Sequence, residues 1–270
     1  IKPKLVAKEG DVVKAGDALF VDKLHPEVKF VSPVSGKVTA IVRGDRRKIL
    51  SVQVTADKQQ TYADFGKKNV SSLSGEQVKA ALLESGLFAF FLQRPYAVTA
   101  NPTDAPKAVF VSTFSDMPLA ADFEVALKGN EADFQTGVDA LAKIAKVYLG
   151  VKPSASSALT NAKNAEVTVF DGKCPAGNVG VQINHLAPVN KGEVVWTLGA
   201  EEVIFIGRLF NTGKVDLTRT IAVAGSEIKA PAYTKALVGQ QISSIVKGNV
   251  ATDKKVRLID GNPLTGLKVD

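Results

Sequence analysis

Phe134-Gln135-Thr136-Gly137-Val138-Asp139-Ala140-Leu141-Ala142-Lys143-Ile144-Ala145-Lys146-Val147-Tyr148-Leu149-Gly150-Val151 changes its period in mid-stretch. Phe134, Val138, Leu141 and Ala145 recur at the spacing that lines one face of a helix, with Asn130 or Asp133 near its cap. Val147 to Val151 follow at once as an apolar strand. Upstream, Ala108-Val109-Phe110-Val111 reads as a buried strand. Downstream, residues 154–161 suit a short helix and Val167-Thr168-Val169-Phe170 a strand. A helix is expected over Asn178 to Leu186, and a further strand at Glu202-Val203-Ile204-Phe205-Ile206. Strands alternating with helices predict a parallel α/β unit.

The flanks obey other patterns. Residues 1–56 hold short β-branched runs at Val12-Val13, Ala18 to Val21, Val28 to Val31 and Val38 to Val42, divided by turns at Gly10, Gly16, Gly36 and Gly44. No helix pattern interrupts them, so this is a small all-β unit. A polar linker follows. Ser74-Gly75-Glu76-Gln77 is a capping-box pattern for a helix that should stop at Ser85-Gly86. From residue 218 a strand at Thr218 to Val223, a turn at Ala230-Pro231-Ala232-Tyr233, a short helix from Ile242 to Val246 and a strand at Val256 to Ile259 form a third small piece. The fold class is α+β and multidomain, with units at 1–56, 57–217 and 218–270.

Composition narrows the function classes. The 270 residues are 45% hydrophobic and 23% charged, an ordinary globular mix. One cysteine, Cys174, excludes an intrachain disulfide and a cysteine-bound cluster. Two histidines, His25 and His185, leave little for an all-histidine metal site, and neither lies in a nucleophile-elbow context. The longest apolar run, Leu87 to Leu92, is far shorter than a bilayer span. Gly177-Asn178-Val179-Gly180 is too short for a dinucleotide loop. The net charge of +7 includes one basic cluster, Arg43, Arg46, Arg47 and Lys48. Without interleaved aromatics it reads as a solvated turn, and no nucleic-acid partner is expected. The chain opens at Ile1 without a methionine, inside strand-like sequence, and stops at Asp270, as a piece of a longer protein would.

Ser85-Gly86-Leu87-Phe88-Ala89-Phe90-Phe91-Leu92-Gln93-Arg94-Pro95-Tyr96 is the least ordinary stretch. Core packing explains its phenylalanines. A sharper reading makes Phe88, Phe90 and Phe91 an apolar pocket wall, with Arg94 and Tyr96 at the rim. Such a site suits a flat ligand with polar carbonyls, such as a quinone.

Glu9-Gly10-Asp11-Val12-Val13-Lys14-Ala15-Gly16-Asp17, followed by Ser32-Pro33-Val34-Ser35-Gly36, resembles the biotinyl/lipoyl type of barrel-sandwich hybrid. Lys23 is off the midpoint of the two halves, so an unmodified domain is expected. With Glu84-Ser85-Gly86-Leu87, Arg94-Pro95, Val169-Phe170-Asp171-Gly172, Pro188-Val189-Asn190 and Gly207-Arg208-Leu209-Phe210, the whole chain resembles the NqrA family of the bacterial sodium-translocating NADH:quinone oxidoreductase. The family protein is longer at both ends. More distantly, the layout is similar to the C subunit of the Rnf complex and the flavin-binding subunit of complex I, which pair an α/β flavin domain with a β-grasp domain of the soluble-ligand-binding (SLBB) type. In those relatives the words matching Ser85-Gly86-Leu87 lead into a glycine-rich loop that holds FMN. Here Phe88-Ala89-Phe90-Phe91-Leu92 stands in its place. The resemblance implies a peripheral subunit on the cytoplasmic face of the bacterial inner membrane, with no catalytic residue, metal or bound redox cofactor of its own. It implies ubiquinone or menaquinone as ligand. FMN, FAD, riboflavin and iron–sulfur centres would belong to partner subunits, including the membrane subunits that pass sodium.

Overall fold

The computed structural model describes residues 1–252 and 255–269. The N-terminal unit is β throughout: β1 (Pro3–Leu5), β2 (Val12–Val13), β3 (Ala18–Asp22), β4 (Lys29–Val31), β5 (Gly36–Arg43) and β6 (Ile49–Ala56). They form two antiparallel sheets of three strands, β1-β3-β4 and β2-β5-β6. Ala7, Val13, Leu19 and Val38 share a small core with Phe20, Ile41, Val52 and Val54. Four of these strands fall on the expected β-branched runs; β1 and β6 lie outside them.

The middle unit runs α1 (Gly75–Glu84), β7 (Leu92–Arg94), β8 (Val98–Thr99), β9 (Ala108–Ser112), α2 (Phe123–Leu127), α3 (Glu131–Ile144), β10 (Lys146–Val151), α4 (Ser157–Thr160), β11 (Glu166–Val169), α5 (Val179–Leu186), β12 (Val195–Gly199) and α6 (Ala200–Thr212). The sheet order is β11-β10-β9-β12-β7-β8. The first four strands are parallel, and β7 runs against β12. Val109 and Val111 of β9 face the cluster built by α1, α3 and α6. Ala108 and Phe110 point the opposite way, under Ile183 of α5. The sheet is thus covered on both faces, and its winding reverses between β9 and β12.

One expected strand is a helix. Residues 202–206 lie in α6, and the strand is the preceding β12. Val203, Ile204, Phe205 and Ile206 are all buried, so this part of α6 shows no polar face that would reveal a 3.6-residue period. Gly207 lets α6 press on α3, because a Cβ there would overlap the Asp133 carbonyl.

The C-terminal unit contains β13 (Thr218–Val223), β14 (Ala232–Leu237), α7 (Ile242–Ile245), β15 (Leu258–Asp260) and β16 (Leu267–Val269). The expected turn at 230–233 ends earlier than its composition suggests. Ala232 and Tyr233 already pair with Val223 and Ala222. Pro231 stands just ahead of the ladder, where its missing amide takes no bond away.

Candidate functional site

The aromatic stretch is positioned by the end of α1. Ser74 and Gln77 exchange both bonds of a capping box. Ser85 ends the helix, and Gly86 adopts φ +78, the left-handed conformation natural to glycine. The same glycine leaves room for Val31 of β4, so the helix stop is also where the N-terminal sheet docks. A 3-10 turn, Leu87–Phe90, then delivers the phenylalanines.

Phe88 and Phe91 are 0% exposed. They stack at 5.3 Å, and both meet the Trp196 ring edge-on, at 5.3 and 5.6 Å. These two rings fill a core. Phe90 turns away, half-buried, against Phe205 at 5.9 Å. The β7–β8 hairpin above them is tied down by polar bonds. Trp196 Nε1 donates to Gln93 Oε1 at 3.2 Å, Gln93 Nε2 donates to Asp104 at 2.7 Å, and Asn101 Nδ2 donates to the same carboxylate at 2.9 Å. Arg94, opposite Val195 in register, has a buried Nε without a hydrogen-bond partner. Tyr96 is 84% exposed at the tip, beside exposed Val98. The structure therefore separates the five residues. Phe88 and Phe91 form a foundation, Phe90 belongs to the α6 side, and Arg94 and Tyr96 remain on an accessible hairpin.

A second place merits attention because of topology. In open α/β sheets, ligands enter the crevice outside the carboxyl ends of the strands where the winding reverses. Here Ser112 of β9 and Gly199 of β12 lie side by side at that point. The crevice is occupied by the chain itself. Gln182, buried on α5, donates to Ser112 Oγ at 2.9 Å and lies so close over Gly150 that a Cβ there would overlap its amide. Ser112 Oγ in turn bonds the Gly177 carbonyl at 2.9 Å. The Gly177 amide donates to the Asp116 carboxylate at 3.0 Å. The N-terminus of α6 has no side-chain cap bond from Gly199, and Glu202 folds back over that glycine. Arg219 of β13 holds Glu201 at 3.1 Å and Glu202 at 3.5 Å. Burial raises the Glu201 pKa, against the opposing pull of Arg219. Glu202 thus stands at a helix N-terminus, where a dinucleotide fold presents amides to phosphate, with Glu201 held beside it by Arg219. Along the chain only the 177–180 loop stands out as a phosphate-loop candidate; nothing local marks Asp116, whose partner Gly177 is 61 residues away, or Glu201 and Glu202, which open the enclosed helix α6.

The remaining candidates recede. His185 lies 6.4 Å from the Phe170 ring, in the last turn of α5. Cys174 is exposed, and partial desolvation with the neighbouring Asp116 raises its pKa, the wrong direction for a nucleophilic thiol. Among the described residues, no group of three or more His, Cys, Asp or Glu is placed to hold a metal ion. No helix among them is long and apolar enough to cross a membrane. A surface cleft of about 410 Å³ lies elsewhere, between residues 67–71 and the Thr136–Asn211 side of α3 and α6.

Three family models match the chain: the NqrA N-terminal barrel-sandwich hybrid domain over 1–57, the NqrA second alpha/beta domain over 73–215, and the NQRA C-terminal domain, of SLBB type, over 220–270. Among relatives, the A subunit of the Na(+)-translocating NADH-quinone reductase of Yersinia pseudotuberculosis is 36% identical over 270 residues, covering 98% of this chain and 60% of that protein. Its counterpart in Photorhabdus laumondii is 35% identical over 274 residues, covering 100% and 61%. That of Neisseria meningitidis is 36% identical over 270 residues, covering 98% and 60%. The chain spans about three fifths of the length of these relatives.

Proposed function

The chain belongs to the NqrA family, the A subunits of Na(+)-translocating NADH-quinone reductases, and from that premise we propose that it serves such a complex as a peripheral component, at the quinone step and with no redox cofactor of its own. Electrons travel through the FMN, FAD, riboflavin and iron–sulfur centres of partner subunits. Sodium crosses in the membrane subunits, on whose cytoplasmic face this chain docks. The reading without a cofactor is supported by the crevice between β9 and β12. The doubly wound strand order fits a kinship with the flavin-binding subunit of complex I, but the residues present do not fit a flavin phosphate. Glu202 stands over Gly199 at the start of α6, Asp116 takes the Gly177 amide, and Gln182 lies over Gly150, so amides and space that a phosphate would use are taken by the chain.

The quinone contact is assigned to the hairpin of Arg94 and Tyr96, with Phe90 on its flank and Phe88 and Phe91 as its base. The observation that carries this is the buried Arg94 Nε, a donor without an acceptor, on the same hairpin as the exposed phenol of Tyr96. A ubiquinone or menaquinone headgroup brings carbonyl acceptors and a flat face to that pair. Photo-crosslinking of a quinone analogue to the assembled complex tests it. Label is expected within residues 90–96, and it should fall at least fivefold in Arg94→Ala. Labelling wholly on other subunits, with unchanged inhibitor sensitivity in Arg94→Ala and Tyr96→Ala, would leave the chain as an assembly scaffold.

A further inference from the structure

The β5–β6 hairpin ends in Arg43-Gly44-Asp45-Arg46-Arg47-Lys48, four cations against one carboxylate. Backbone bonds close the tip: Gly44 N–H to Lys48 O at 2.8 Å and Lys48 N–H to Asp45 O at 3.1 Å. Arg43 reaches across it, donating to the Arg47 carbonyl at 3.1 Å. Arg46 and Arg47 both lie in the left-handed region, at φ 54 and 62. All four cationic side chains are exposed, and among the described residues none of them forms an ion pair. The Glu9 carboxylate is further down the hairpin, where it accepts from the Ile41 amide at 2.8 Å. Leu50 covers Gly44 and is itself 59% exposed.

We propose that this tip is a contact for an anionic lipid surface. Its shape is that of a finger, not a groove. Long flexible cations on a convex turn suit a plane of negative charge, because each finds a headgroup without a shaped partner. The exposed leucine beside them can enter the acyl boundary while the cations stay at headgroup level. The proposal rests on the reading that the chain works beside a membrane. Its failure is separable from failure of that reading, since assembly with the other subunits is measured by co-purification.

The test is co-sedimentation of the full chain with vesicles of phosphatidylglycerol and phosphatidylcholine, and with phosphatidylcholine alone. The informative variant is Arg46→Gly with Arg47→Gly. Glycine takes the left-handed conformation freely, so the hairpin keeps its shape while two charges leave. Lys163→Gln with Lys173→Gln removes the same charge from exposed positions elsewhere. Binding is expected to anionic vesicles only, to weaken with salt, and to fall roughly twentyfold in the arginine variant. The lysine variant should change less than about threefold. Equal losses in the two variants, no binding to anionic vesicles, or retention on polyglutamate without vesicle binding would each overturn the proposal. The last of these would point to an acidic protein instead.

Discussion

Phe91 and Tyr96 are five residues apart and answer different questions. Phe91 has no exposed surface and touches two other rings, so Phe91→Ala opens a cavity in the core. A loss of about 3–5 kcal/mol is expected in denaturant unfolding. Tyr96→Ala removes a ring that already stands in water, and should shift stability by no more than about 0.5 kcal/mol. A quinone phenotype in Phe88 or Phe91 variants would therefore report folding, whereas one in Tyr96 variants reports the surface. Sequence marked all five residues together because an apolar run carries no sign of which rings face inward. Contacts made 103 residues away, from Trp196 to Gln93, decided it.

At the scale of elements, α6 is the least legible and the most consequential. Its first turn carries Glu201 and Glu202 to the place where a helix N-terminus favours anions. Glu201 stays there at a cost, since burial raises its pKa above the ordinary glutamate value. A carboxyl whose folded pKa exceeds its unfolded pKa binds more protons in the native state. Its contribution to stability is fully present below the unfolded value and is lost as pH rises through the folded one. Glu201→Gln does not titrate. Between pH 4 and 7, roughly the window above a free glutamate, the wild-type melting temperature should fall relative to that of the variant. Parallel pH profiles in thermal melts would contradict this. The opposing pull of Arg219 tempers the size of the effect. Helices with a polar face, such as α1 and α3, were legible from spacing and caps alone. The enclosed part of α6 was not.

For the whole molecule, the three units are joined at few places, each built from named groups. The N-terminal sheet meets the middle unit through Phe30 and Val31, which pack on the central core beside Gly86. The C-terminal hairpin is held by Arg208, which donates to the Thr218 carbonyl at 2.7 Å and to Asn130 Oδ1 at 3.0 Å, and by Tyr233, whose hydroxyl accepts from the Asp122 amide at 3.0 Å. Arg208→Ala removes the bond that spans α3, α6 and β13. Hydrogen exchange should then rise at least tenfold across 218–237 and stay unchanged across 1–56. Uniform protection in both regions would show that Arg208 is dispensable and that β13 is held by its other contacts, the Arg219 pairs with Glu201 and Glu202 among them. The order of the units was readable in the sequence, since each unit has its own period and punctuation. The joints were not, because they pair residues far apart in the chain.

The sequence by itself determined the class of each unit, the βαβ alternation, the α1 caps and the family likeness. Those rest on local spacing, turn chemistry and short motifs, which act within a few residues. Only the tertiary structure decided that 202–206 is helix, that Phe88 and Phe91 fill a core while Tyr96 stands in water, and that Gln182 and Glu202 lie over the glycines at the sheet's switch point. Each of these depends on which distant groups exclude water from a given side chain, and burial is a property of the assembled fold.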